Sequence, residues 1–307
     1  MEKPWGALAL VVMIVADVVL VAWALGLVGG GWGGDAERPE RPAASSPSTS
    51  SSPTSSPSAT EGAGDGTVVL DAVDAKHGLR AVHEPCTTKG DASVEIERTD
   101  DGGQTWSTTT LPVRSVLRVR LTSAAEGFAV VADDDCEPKV VSTSDGGETW
   151  GEPGPAATTW GLWPEQGPQV LVPGGEPAEA CEEGDATAIS ATDGRTALVL
   201  CDGGTVRRTS DAGKTWTDAA TVEGAVSLSA RDDVVAVLVD ADECEGLGVR
   251  SGETGEELTL GEPACVEGVS APAAITVTGA GGWVADEGAV AVGEDLRLWS
   301  AASPVSE

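Results

Sequence analysis

Three eight-residue stretches set a carboxylate between hydroxyls: TDDGGQTW at 99–106, TSDGGETW at 143–150 and TSDAGKTW at 209–216. Each fits Ser/Thr-x-Asp-x-Gly-x-Thr-Trp. The fixed members are Thr99, Asp101, Gly103, Thr105 and Trp106; Thr143, Asp145, Gly147, Thr149 and Trp150; and Thr209, Asp211, Gly213, Thr215 and Trp216. A carboxylate beside hydroxyls could serve acid–base chemistry. The same groups suit a tight hairpin turn better. Asp and Thr oxygens accept from turn amides, Gly permits positive φ, the second Thr resumes a strand, and Trp buries a large ring that fixes the turn against a sheet. The octets are therefore expected to be structural turn staples.

Other reactive groups are sparse. The chain has 307 residues, two of them His (His77 and His83), and no Tyr. HEPC at 83–86 places a His near a Cys, the pairing a thiol nucleophile needs, but Cys86 is also a candidate for a disulfide. Carboxylates are so abundant that no pair stands out, and neither a phosphate-binding glycine loop nor a dinucleotide motif occurs. Catalytic, cofactor and metal sites are therefore all expected to be absent. Trp160 and Trp163, in TWGLWPEQG, are candidates for stacking on a sugar face. Arg118 and Arg120 alternate along RSVLRVRLTS, with Arg114 upstream.

The elements that position these residues are short. TVVLDAV, SVEIERT, GFAVVAD, TALVLC, DVVAVLVD and AAITVTG are rich in β-branched residues and bounded by Gly, Asp or Pro, and no sustained 3.6-residue period occurs after about residue 67. The class is all-β. A decayed fourth octet, SGETGEEL at 251–258, ends on Leu258. The final positions 106, 150, 216 and 258 are separated by 44, 66 and 42 residues, and a period near 40–45 is one four-stranded propeller blade. The extra residues in the 66-residue interval include two strands of a reduced blade. Counting gives units at 67–112, 113–154, 155–183 (the reduced one), 185–221, 223–261 and 270–303: six blades, within a range of five to seven.

On these octets the chain resembles the Asp-box (BNR-repeat) β-propellers, which include sialidases, sortilin-type receptors and photosystem II assembly factors. The resemblance covers 67–307. In such relatives the box lies on the turn between the third and fourth strands, away from the central ligand face, which implies a scaffold role for Asp101, Asp145 and Asp211. A sialidase in this family uses a Tyr nucleophile and holds the sugar carboxylate with three Arg from separate blades. This chain has no Tyr, and Arg118 and Arg120 come from one blade, so the resemblance implies a binding protein before an enzyme.

Residues 7–28 form a 22-residue apolar run interrupted by Asp17. As a helix it would be about 33 Å long, enough to span a bilayer. Trp5 and Trp32 flank it as interface anchors, and Lys3 orients it N-in. Asp17 costs about 2.5–3.5 kcal/mol at the bilayer centre and is read as a tolerated, protonated carboxyl. The expected organisation is a cytoplasmic N-terminus at 1–6, a transmembrane signal anchor at 7–28, a disordered Pro/Ser/Thr-rich linker at 29–66 and a propeller at 67–307. The competing reading is secretion after cleavage near Ala22-Trp23-Ala24. No Cys lies near the run, which excludes a lipoprotein anchor.

Export suits the six cysteines, Cys86, Cys136, Cys181, Cys201, Cys244 and Cys265. They lack CxxC spacing for zinc and are expected to form disulfides, paired in sequence order. Four of them fall between second and third strands; Cys181 and Cys265 fall in connecting segments. The net charge of −32 argues against nucleic acid and anionic lipid headgroups. The expected role is a non-catalytic scaffold for an extracytoplasmic protein partner; the alternative is a sialidase-like propeller that binds a cell-envelope glycan, with residual glycosidase activity.

Overall fold

Short Val- and Ala-rich runs punctuated by Gly and Asp close into antiparallel hairpins, and consecutive hairpins complete one small sheet before the next begins. The computed structural model describes residues 67–305 except 88, 90, 91, 168 and 280. The expected span at 7–28 and linker at 29–66 lie outside the described residues. The first sheet holds β1 (Thr67–Ala72), β2 (Gly78–His83), β3 (Val94–Thr99) and β4 (Ser107–Leu111). The second holds β5 (Ser115–Leu121), β6 (Gly127–Ala132), β7 (Pro138–Thr143) and β8 (Gly154–Pro155). The third has β9 (Gly161–Leu162), β10 (Gln169–Leu171) and β11 (Pro177–Glu179). The fourth holds β12 (Ala186–Ala191), β13 (Ala197–Cys201), β14 (Thr205–Thr209) and β15 (Thr217–Thr221). The fifth holds β16 (Ala225–Arg231), β17 (Val234–Asp240), β18 (Gly246–Glu253) and β19 (Ala264–Glu267). The sixth holds β20 (Ala274–Val277), β21 (Gly282–Ala285), β22 (Ala289–Gly293) and β23 (Ser303–Pro304).

Each sheet is antiparallel with its strands in chain order. The first strand of each touches the first strands of its neighbours around a ring, so the fold is a six-bladed β-propeller. Among the described residues there is no α-helix, only one 3₁₀ turn at Asp202–Gly204, and no helix long and apolar enough to cross a membrane. Second strands are covered on both faces by adjacent blades, so they read as apolar runs without alternation. In β17, VVAVLVD, all five middle residues are buried. Six apolar clusters fill the seams between blades.

Two boundaries differ from the sequence expectation. The reduced unit has three strands rather than two, because Pro177–Glu179 pairs with β10. The fifth blade runs past 261: its outer strand begins at Ala264, after the decayed octet loops out, and so Cys265 lies within a strand instead of a connection.

Blades one and six share no strand. Their seam closes through side chains: the Trp283 indole donates to Asp74 O at 2.9 Å and packs edge-on against Trp106, with centroids 6.4 Å apart. Arg80 donates to Asp286 O at 3.0 Å and to Glu97 Oε2 at 2.6 Å, with its guanidinium 4.7 Å from the Trp106 ring centroid.

Candidate functional site

The three octets lie between β3 and β4, β7 and β8, and β14 and β15, the third and fourth strands of their blades. Their hydrogen bonds are the same three times over. Thr99 Oγ1 donates to Asp101 Oδ1 (2.9 Å) and accepts from Gly103 N (3.0 Å); Thr105 donates its N–H to Asp101 Oδ1 (3.0 Å) and its hydroxyl to Oδ2 (2.7 Å). Asp145 and Asp211 make the matching bonds with Thr143 and Thr149, and with Thr209 and Thr215. Every carboxylate oxygen is thus engaged within its own turn.

These donors hold the carboxyls low. Bonds from Thr149 and Thr215 bring Asp145 and Asp211 down to about 2, and bonds from Thr105 lower Asp101. An NMR titration should show the Asp145 and Asp211 carboxyls with midpoints near 2; midpoints at the ordinary 3.8 would contradict the bonding. The folded values lie below the unfolded ones. Their stabilisation is therefore complete above the unfolded value and is lost as the pH falls through the folded one.

The octets also clip each blade to the one before it. Gly103, Gly147 and Gly213 have φ of 83°, 98° and 81°, and a Cβ on them would overlap Val290, Leu79 and Val172 of the preceding blade. Gly213→Ala combines a left-handed backbone with that overlap and should cost about 2–4 kcal/mol. Urea denaturation measures this, and a loss near zero would show that the loop relaxes away from Val172. Trp106, Trp150 and Trp216 fill the same seams. The Trp150 and Trp216 N–H groups have no partner among the described residues, so these positions use the ring rather than the dipole.

The fourth octet does not repeat these turn bonds; Leu258 packs against the seam between blades four and five. The sixth blade has, at the matching turn, a Trp and an Asp without the rest of the octet, which sequence reasoning did not connect to the period. Trp299 stands 41 residues after Leu258 and packs into the core beside blade six, while Asp295 caps the turn through Arg297 N (2.8 Å) and Leu298 N (2.7 Å). The period alone could have revealed it.

The six cysteines form Cys86–Cys136, Cys181–Cys201 and Cys244–Cys265, the mark of an oxidising compartment. The first two join neighbouring blades. All three lie at the end of the ring where second strands turn into third strands, opposite the octets. Two cavities open at this end. One, of about 890 Å³, is lined by Arg80, Glu84, Lys89, Arg114, Asp286 and Val305 among others. The other, of about 590 Å³, is lined by Trp163, Glu84, Glu165, Gln166, Asp185 and Asp202 among others. Trp163 is half-buried at this cavity. Trp160 is 2 % exposed, packs edge-on against Trp216 and donates its N–H to Asp193 O at 2.9 Å; the structure does not bring the two indoles together on one surface.

Neither histidine is poised as a base toward a nucleophile. His83 Nδ1 lies 2.9 Å from Val116 O and 3.2 Å from Ser115 Oγ. A ring nitrogen facing a carbonyl carries the proton, and Ser115 Oγ itself donates to Glu84 O at 2.6 Å. Burial holds the His83 pKa below its usual value, against the Val116 bond. His77 pairs with Asp74 at 2.9 Å on the surface. Cys86, beside His83 in sequence, is spent in its disulfide. Among the described residues no group of His, Cys, Asp and Glu is arranged to hold a metal ion.

The chain was compared with known proteins. No family model matches it, and no curated protein does. Solved structures similar to it include YCF48 bound to a D1 peptide, with 20% identity over 78% of this chain and 69% of that one and a TM-score of 0.31. Two others are the GH43_1 enzyme from Xanthomonas citri (9%, covering 79% and 87%, TM-score 0.38) and a mutant of AofleA from Arthrobotrys oligospora (11%, covering 79% and 87%, TM-score 0.44). The fold rests on the strand pairing itself.

The central channel is nearly filled. Its cavity of about 70 Å³ is far below the roughly 300–1,000 Å³ of small-molecule pockets. Toward the octet end, Asp71 of β1 is a hub. It accepts Leu121 N at 2.7 Å, Thr276 Oγ1 at 3.2 Å, and Arg120 and Arg231 at 3.4 Å each. Burial pushes its carboxyl pKa upward against the pull of both guanidiniums and the Leu121 N–H. Arg231 also donates to Val277 O and Ala72 O, at 2.7 and 3.0 Å. The ring thus adds Arg231, from blade five, to the Arg118 and Arg120 pair of blade two, an approach that sequence spacing did not reveal.

Proposed function

We propose that this chain is an Asp-box (BNR-repeat) propeller that stands outside the cytoplasm on a membrane anchor at 7–28 and a linker at 29–66, and binds a protein partner without catalysis. The observation that carries this reading is the contrast between the two ends of the ring. At one end the octets spend their Asp carboxylates and flanking Thr hydroxyls inside their own turns. At the other, disulfide-held loops border the 890 and 590 Å³ cavities, with Glu84, Glu165, Asp185 and Asp202 around the smaller one. A partner presenting Lys or Arg complements that charge. Photocrosslinkers placed in the full chain at Thr87 and Gln166, beside the cavities, should trap one defined envelope protein in cells, while a crosslinker at Lys214, in an octet, should trap none. Empty lanes at the cavity end, or capture at the octet end, would overturn the reading.

A glycan is the second reading, favoured by Trp163 at the smaller cavity beside Gln166 and Gln169. An indole face stacks on sugars, and amides and carboxylates bond their hydroxyls. A glycan array that is blank for both the parent ectodomain and Trp163→Ala would remove it.

A further inference from the structure

We propose that the central channel holds a small inorganic monoanion of halide size as a structural counter-ion, seated between Arg118 of blade two and the serine hydroxyls of blade five. The argument begins with a mismatch of donors and acceptors. Asp71 is the single carboxylate among the residues lining the channel cavity, and Arg120 and Arg231 both pair with it. Arg118 also lines the cavity, yet among the described residues it forms no ion pair within bonding distance, and feels Asp71 only from further away. Its hydrogen bond is to Trp160 O at 3.2 Å, and its guanidinium lies 6.0 Å from the Phe128 ring centroid. Enclosure among the blades, with Arg120 and Arg231 nearby, brings its pKa down to about 10 against the pull of Asp71, the response of a cation in a group that outnumbers its counter-charges.

The opposite wall adds unspent donors. Ser227 and Ser229 line the cavity and are 6% and 8% exposed. Their oxygens accept Ile275 N at 3.4 Å and Val277 N at 3.0 Å, and neither hydroxyl proton has an acceptor among the described residues. An enclosed guanidinium in excess of its counter-charges is costly, and an anion in the cavity it shares with Ser227 and Ser229 offers an acceptor to all three. The cavity of about 70 Å³ has room for roughly two water-sized occupants, which suits a halide and excludes a sugar ring. In a chain of net charge −32, such a pocket of excess positive charge is unusual.

Thermal unfolding of the full chain tests this, with sodium chloride replacing sodium gluconate at constant ionic strength. Screening is then equal in both salts, and gluconate is too large for the cavity. The midpoint should rise by about 5 °C as chloride replaces gluconate. Arg118→Lys should keep that dependence and Arg118→Met should lose it. Crystals soaked in bromide should show an anomalous peak between Arg118 and Ser229. Equal midpoints for the parent protein in the two salts, a chloride shift that survives in Arg118→Met, or no bromide peak in the channel would overturn the proposal. The two-salt comparison on the parent protein decides even where a variant does not fold.

Discussion

Asp71→Ala should lower the unfolding free energy by about 2–4 kcal/mol, because it removes a buried carboxylate and strands two part-buried guanidiniums and the Leu121 N–H at once. Arg120 and Arg231 reach the same carboxylate from blades two and five, Thr276 reaches it from blade six, and Leu121 donates its backbone N–H. Four of the six blades thus meet on one side chain, that of Asp71, itself on blade one. Urea denaturation under non-reducing conditions measures the loss. Asp71→Asn, which keeps an acceptor oxygen and removes the charge, should fall between the parent and the Ala variant. A change below about 1 kcal/mol for Ala would mean that water or neighbouring carbonyls take over the two Arg.

Trp283→Ala should cost a similar amount, about 3–5 kcal/mol, by opening the seam that closes the ring. Trp283 is fully buried, anchored to Asp74 O, and packed against Trp106 and the backbone of Gly78. No strand crosses between blades six and one, so this indole stands where some rings have a shared sheet. Hydrogen exchange should localise the damage. Amides of β1–β3 and β20–β22 should lose protection first, while β12–β14, on the far side of the ring, keep theirs. Uniform loss across all six sheets would show instead that the ring unfolds as a unit.

Much of this architecture is legible in local chemistry. The octets announce their turns because the bonds between their Asp and Thr side chains close within eight residues, and their period announces blades because each blade is one continuous stretch of chain. The three-strand reduced unit is read less well. Pro177–Glu179 has no β-branched residue, and only its pairing with β10 makes it a strand. Trp160 shows a different limit. Its spacing from Trp163 places both in one loop, but the core claims one indole and the cavity edge takes the other, a choice set by the Trp216 ring of the next blade. The channel is least legible of all. Asp71, Arg120, Arg231 and Thr276 lie as much as 205 positions apart, and only closure of the ring brings them together. The clash that makes Gly213 obligatory is likewise with a residue of another blade.

Because every sheet is assembled from neighbouring residues, with no exchange across the final seam, the ring has no privileged first member. Val68 and Val305, near the two ends of the described residues, border the same cavity. A gene joined there and cut between blades four and five would encode the same circle from a different starting point. Such an object can gain or lose a blade by duplication or deletion of one stretch of DNA.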